Sequence, residues 1–166
     1  MNHSPYELIT SNDETLWREG IDELLKEHSE KACVAIVNIL SDTSWRKREI
    51  AAKSLQNWGE GLSTILEKLV NEQNIDQYYW ILNILGHISD EKSVAVLKRG
   101  LQNPEPELRS YAVRGLGFKK TIENARLLYP LLNDSNWSIR KLVFEQLLSF
   151  DELIFDDLRK IIITPS

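Results

Sequence analysis

Apolar residues recur along most of the chain at spacings of three and four, the period of a helix with one buried face. Polar, turn-forming stretches interrupt these stripes at regular intervals. Four segments align: "SDTSWRKREIAAKSL" from Ser41, "NIDQYYWILNIL" from Asn74, "QNPEPELRSYAVRGL" from Gln102 and "NDSNWSIRKLVFEQL" from Asn133. Each carries a small or branched apolar residue followed four later by leucine: Ala51/Leu55, Ile81/Leu85, Ala112/Leu116 and Val143/Leu147, at steps of 30, 31 and 31 residues. Upstream, Ile36, Leu66, Leu97 and Leu128 form a column with the same step, as do Leu40, Val70, Leu101 and Leu132, and Cys33, Ser63, Val94 and Ala125. A fixed period of this length is the signature of a solenoid. Each unit is a helix pair, helix A, a short turn and helix B, and neither helix buries its stripe without stacked neighbours.

The register runs on in both directions. Ile21 and Leu25 fall one period before Ala51 and Leu55, and "DELIFDDLRKIII" supplies a further A-type helix with Asp151 as its N-cap. The reading is one repeat domain over 1–166: a worn repeat at 5–28, repeats at 30–58, 61–87, 90–118 and 121–149, and a closing helix at 151–162. Six residues separate Asn12 from Arg18, Asp42 from Arg48, Asn103 from Arg109 and Asp134 from Arg140. This spacing predicts a structural ladder in which each A–B turn is tied to an Arg fork at the start of helix B.

Turn Asp, then apolar-Arg, then small-x-x-x-Leu resembles HEAT repeats. The period near 30 and the short helices resemble the subclass found in phycobilisome bilin lyases. The resemblance covers roughly residues 12 to 162 and implies an all-α, right-handed superhelical solenoid of about five helix pairs. It is specific for fold and not for function, because that repeat occurs in lyases, scaffolds, signalling accessories and inhibitors. It also implies that one side of the B helices lines a concave surface.

"QYYW", residues 77–80, is placed by the register. Tyr78 stands in the column of the ladder Arg residues, with Glu72 as its turn partner. Trp80 stands in the column of Ile50, Tyr111 and Leu142 and is expected in the core. Tyr79 stands among Glu49, Ser110 and Lys141 and faces outward, where a tyrosine is a typical anchor for a partner. The candidate partner-binding residues of the concave face are Arg46, Glu49, Lys53, Asp76, Tyr79, Asn83, His87, Ser110, Arg114, Lys141 and Glu145. Their charges are mixed and nearly balanced, which suits a protein or peptide and suits a phosphate backbone poorly. An ordinary solvated face is the alternative, open on sequence alone.

Composition narrows the chemistry. The 166 residues are 42% hydrophobic and carry a net charge of −5, which argues against general nucleic-acid binding. No basic start followed by an apolar run marks a signal peptide, and no apolar segment is long enough to span a membrane, so a soluble cytoplasmic protein is expected. The single Cys33 excludes an internal disulfide and falls in a core column. His3, His28 and His87 are followed by Ser, Ser and Ile, so the His-Glu pairs of helical-repeat di-iron enzymes are missing. Asp76 beside Tyr79 and Trp80 only faintly echoes a helical-repeat DNA glycosylase.

The remaining motifs read as structural. "RGLGFKK", residues 114–120, reads as a helix C-cap, Trp45 and Trp137 as covers over the A–B turns, and Pro130 as a kink in the fourth A helix. The apolar "LRKIIITPS" makes the C-terminal helix a candidate homodimer or partner contact. The function expected is a non-enzymatic scaffold or adaptor with a protein partner and no cofactor or metal. The alternatives are a bilin-lyase-like, chromophore-handling component and, second, a nucleic-acid-binding HEAT-like protein.

Overall fold

The computed structural model describes residues 3–150 together with 154 and 155. Asp151 and the rest of the predicted closing helix, Ile154 and Phe155 excepted, lie outside the described residues. Among the described residues ten α-helices follow one another: α1 Pro5–Leu8, α2 Glu14–Glu27, α3 Glu30–Asn38, α4 Trp45–Gln56, α5 Leu62–Leu69, α6 Ile75–Ile88, α7 Glu91–Gly100, α8 Pro106–Gly117, α9 Ile122–Leu128 and α10 Trp137–Leu148. No strand occurs among the described residues. The all-α series of helix pairs read from the sequence is the fold observed. The even-numbered helices are the B helices, and the odd-numbered ones, α1 to α9, are A helices.

The helices start where the chain supplies a cap. Side chains of Asp13, Ser29, Ser44, Asp90, Thr121 and Asn136 accept from first-turn amides of α2, α3, α4, α7, α9 and α10. Pro106 opens α8 at a position whose amide has no helical partner in any case. Pro130 does not kink α9. That helix ends at Leu128, and Pro130 lies in the 3-10 segment Tyr129–Asn133. A proline cannot donate the amide that would continue the α-helix, so the last turn tightens instead.

The chain divides into two compact units, residues 1–84 and 85–166, with the division falling inside α6. In the first, Ile21, Leu24, Ile36, Leu40, Ala51, Leu55, Leu62, Leu66 and Ile81 form a buried core. In the second, Leu85, Val96, Leu97, Ala112, Leu116, Ala125, Leu128 and Val143 do the same. The apolar anchor pairs are buried in all four aligned repeats. The first repeat departs from the register: Leu24 is buried, whereas Leu25 is only half-buried. Its A helix, α1, has four residues, and Gly20 brings α2 against it, where an added Cβ would lie 2.8 Å from the Leu8 Cβ.

Cys33 is a core residue. It is fully buried, and burial, with a smaller push from Glu30, drives its thiol up to about 12. The thiolate is the reactive form. We therefore expect no reaction of the native protein with a disulfide reagent at neutral pH and one thiol released after denaturation. Rapid labelling of the native state would remove Cys33 from the core.

Candidate functional site

The ladder is built differently from the sequence expectation. Arg109 is 8% exposed and reaches four acceptors. Its Nη1 donates to the main-chain oxygens of Asn103 (2.8 Å) and Pro104 (2.9 Å). Its Nε and Nη2 donate to the two carboxylate oxygens of Asp134, at 2.9 and 2.8 Å. Arg140 likewise donates to the carbonyls of Asp134 (2.7 Å) and Ser135 (3.1 Å). The six-residue spacing therefore ties Arg to the carbonyl of the turn residue, not to its side chain. The side chains of Asp42, Asn103 and Asp134 accept from the amide two residues on, at 2.8 to 2.9 Å. This local Asx turn holds the side chain away from its own repeat's Arg.

The other ladder positions also differ. Arg18 pairs with Glu14 in its own helix (2.8 Å), and Arg48 pairs with Asp76 on α6 (2.8 Å). Asp42 pairs with Lys47 at 3.3 Å. Lys47 is buried, with its ammonium 3.4 Å from the Ser11 carbonyl oxygen and 6.0 Å from the Trp17 ring. Sequence reasoning missed it, although three of the other four residues of its column, Trp17, Leu108 and Ile139, are apolar and buried, with the half-buried Gln77 the exception. A lysine in an apolar column was the available signal. In the second aligned repeat, Asn71 makes the Asx turn to the Gln73 amide (3.0 Å), so Asn71 and not Glu72 is the turn residue.

On the B helices of the first unit, Arg46 and Lys53 are exposed and Glu49 is half-buried. Lys53 pairs with Glu49 at 2.6 Å, and Arg46 reaches Glu14 at 2.9 Å. On α6, Tyr78 is 2% exposed and Trp80 is 7% exposed, while Tyr79 and Asn83 are half-buried and Asp76 is exposed. Tyr79 meets Trp80 edge-on at 5.1 Å. Trp45 does not cover a turn. It is 59% exposed and packs on Trp80 with ring centroids 6.2 Å apart.

In the second unit, Arg114, Lys141 and Glu145 are exposed, and Lys141 and Glu145 lie 3.7 Å apart. Ser110 donates to the Glu107 carbonyl of its own helix at 2.6 Å. His87 is exposed at the surface; its ring centroid lies 4.1 Å from that of Phe118, and the partial desolvation lowers its pKa from the ordinary value. Gly115 and Gly117 are not left-handed caps. Only Gly59 and Gly61 have positive φ among the described glycines, and α8 runs through Gly117.

Among the described residues eight large hydrophobic ones are exposed: Leu16, Trp45, Ile75, Phe118, Trp137, Phe144, Leu148 and Phe155. Seven of them lie on B helices or, for Phe118, at the C-cap of one, and α1, α3, α5, α7 and α9 carry none. No group of His, Cys, Asp and Glu among the described residues is arranged to hold a metal ion. No helix among them is long and apolar enough to cross a membrane.

A family model described as HEAT repeats matches residues 62–149. No curated protein matches the chain in sequence. Among solved structures, the fold is similar to the complex of CpcE and CpcF of phycocyanin lyase from Nostoc sp. PCC7120, at 18% identity over 83% of this chain and 92% of that one, with a TM-score of 0.61. It is also similar to a designed armadillo repeat protein in complex with a (KR)4 peptide, at 16% identity over 89% of this chain and 80% of that one, with a TM-score of 0.50. At these identities the likeness is one of fold.

Proposed function

Because the chain belongs to the HEAT repeat family, we propose that it is a non-enzymatic scaffold or adaptor that holds a protein partner on the solvent-facing side of its B helices, the side such repeats turn to their concave face. The carrying observation is the segregation of exposed apolar side chains. Seven of the eight in the described residues sit on the B helices or at the C-cap of one, and α1, α3, α5, α7 and α9 carry none, although both kinds of helix have solvent-facing sides; the eighth, Phe155, falls in the segment read as a closing A-type helix. Exposed aromatic and aliphatic side chains set among charges mark a surface that is covered in a complex. Each unit carries its own polar share of such a surface: Arg46, Glu49, Lys53, Asp76, Tyr79 and Asn83 in the first, and His87, Ser110, Arg114, Lys141 and Glu145 in the second.

Two adjacent substitutions test this reading. Tyr79→Ala is expected to cost about 1–2 kcal/mol of partner affinity and, since the half-buried ring packs on Trp80, a loss of stability smaller than that of Trp80→Ala. Trp80→Ala is expected to cost about 3–5 kcal/mol of stability, because it empties a buried site. The partner is first captured from an extract of the source organism and identified by mass spectrometry, and its affinity for each variant is then measured by calorimetry. Unchanged affinity on Tyr79→Ala, with the protein folded, removes α6 from the interface.

A second reading, chromophore handling, is supported by the likeness to the CpcE–CpcF complex of phycocyanin lyase. Incubation with a linear tetrapyrrole separates the two. A red-shifted, protein-bound absorbance band favours chromophore handling, and an unchanged spectrum favours the scaffold.

A further inference from the structure

The B-helix face of the first unit holds three rings in one contiguous group. Trp45 is the first residue of α4 and stands largely in solvent, which is an unusual exposure for so large an apolar ring. Its inner side meets Trp80 of α6, and Trp80 in turn meets Tyr79. A carboxylate accompanies the rings on each helix at helical spacing. Glu49 follows Trp45 by four residues on α4, and Asp76 precedes Trp80 by four on α6. Each acid already carries one cation of the chain, Lys53 on Glu49 and Arg48 on Asp76. The Asp76 side chain is nevertheless two-thirds exposed, and an ionised carboxylate has about four acceptor positions. Lys53 is exposed and its pair with Glu49 adds little stability, while Arg48 is mostly buried and keeps its place, so an incoming cation shares the open acceptor positions of Asp76 without displacing Arg48.

The surrounding charge has the same sign. Residues 1–84 contain 14 Asp and Glu against 8 Lys and Arg, whereas residues 85–166 contain 11 against 12. The acidity of the chain thus belongs to the unit that carries the rings. Aromatic faces beside carboxylates attract guanidinium groups through the ring quadrupole and the full charges together. An acidic field also raises the encounter rate with a basic segment.

We infer that Trp45, Trp80 and Tyr79 form a ledge for the guanidinium groups of an arginine-bearing peptide segment, so that the partner is basic where it meets α4 and α6. This rests on the scaffold reading and specifies the chemistry of its partner.

The test uses the full chain and a fluorescein-labelled oligo-arginine peptide, read by anisotropy at physiological salt, with oligo-glutamate and glycine–serine peptides as controls. Oligo-arginine binds and the controls do not. Trp45→Ala weakens binding about five- to tenfold, Trp45→Phe keeps most of it, and Glu60→Gln, a charge change in the exposed loop before α5, leaves it within about twofold. All variants melt as the wild type does, because both positions are exposed. Absence of oligo-arginine binding overturns the inference, and so does equal binding by wild type and Trp45→Ala, which leaves only diffuse acidity. Should the native partner still depend on Tyr79 in either case, the scaffold reading stands and only the basic partner falls. Should oligo-arginine bind through Trp45 while the native partner ignores Tyr79, the ledge stands and the wider face falls.

Discussion

Arg109→Ala unfolds the second unit far more readily than Arg140→Ala does. Arg109 and Asp134 are both nine-tenths buried as side chains, and the guanidinium also satisfies the Asn103 and Pro104 carbonyls. Its removal leaves a buried carboxylate and two carbonyls without their donor, at a cost of about 3–5 kcal/mol. For a chain of this length that lowers the melting temperature by on the order of 10 °C. Arg140 is exposed and donates to two turn carbonyls that water serves once the side chain is gone, so its loss costs about 1 kcal/mol. Melting curves of the two variants that coincide would show that burial of the Arg109 fork contributes nothing.

The same pair sets a pH dependence. Burial pushes the Asp134 carboxyl up, but the Arg109 hydrogen bond, the Asn136 amide and the charges of Arg109 and Arg140 outweigh it, and its pKa lies below the ordinary 3.8. A depressed carboxyl pKa stabilises the fold above the unfolded value, and that contribution is lost as pH falls through the folded value. The stability difference between wild type and Arg109→Ala is therefore full at neutral pH and shrinks as pH falls below 3.8.

Gly86→Ala is expected to destabilise the protein by about 3 kcal/mol, against the trend for its place in a helix. Within a helix, alanine is better than glycine by about 0.5–1 kcal/mol. Here the added Cβ would press into the Gly115 carbonyl oxygen, with the Gly115 Cα and the Phe118 ring each at 2.8 Å. Two of these neighbours are backbone of α8, which cannot rotate aside, so the helices must separate. Urea unfolding measures the change. A gain in stability would show that the end of α6 and α8 do not approach so closely.

The periodic part of the fold was legible in the residues. Ala51/Leu55, Ile81/Leu85, Ala112/Leu116 and Val143/Leu147 lie in the core because a stacked helix pair buries the same face in every repeat. Trp80 and Cys33 followed from those columns. The ladder was half legible. The spacing of Asn103 to Arg109 and of Asp134 to Arg140 was visible, but their partners were not, because an Asx side chain has two competing acceptor roles. Local turn geometry claims Asp134 for the Asn136 amide, and only the packing of α8 against α10 brings Arg109 to it as well. Lys47 was hidden for the converse reason: a basic residue in an apolar column signals a conflict without naming the acceptors that resolve it.

The sequence by itself determined the helix-pair repeat and, from the second repeat on, the buried anchor pairs of the B helices, since these depend on apolar spacing within a helix and on its recurrence. It placed Arg46, Lys53, Asp76, His87, Arg114, Lys141 and Glu145 on exposed sides of their helices, but Glu49, Tyr79, Asn83 and Ser110 of the same face are half-buried, because neighbouring side chains cover them. The tertiary structure alone decided that Trp45 rests on Trp80, that Arg48 pairs with Asp76, and that Gly86 meets Gly115. These contacts join residues of different helices. Their geometry depends on how two helices cross and at what distance, which no spacing along one chain segment specifies.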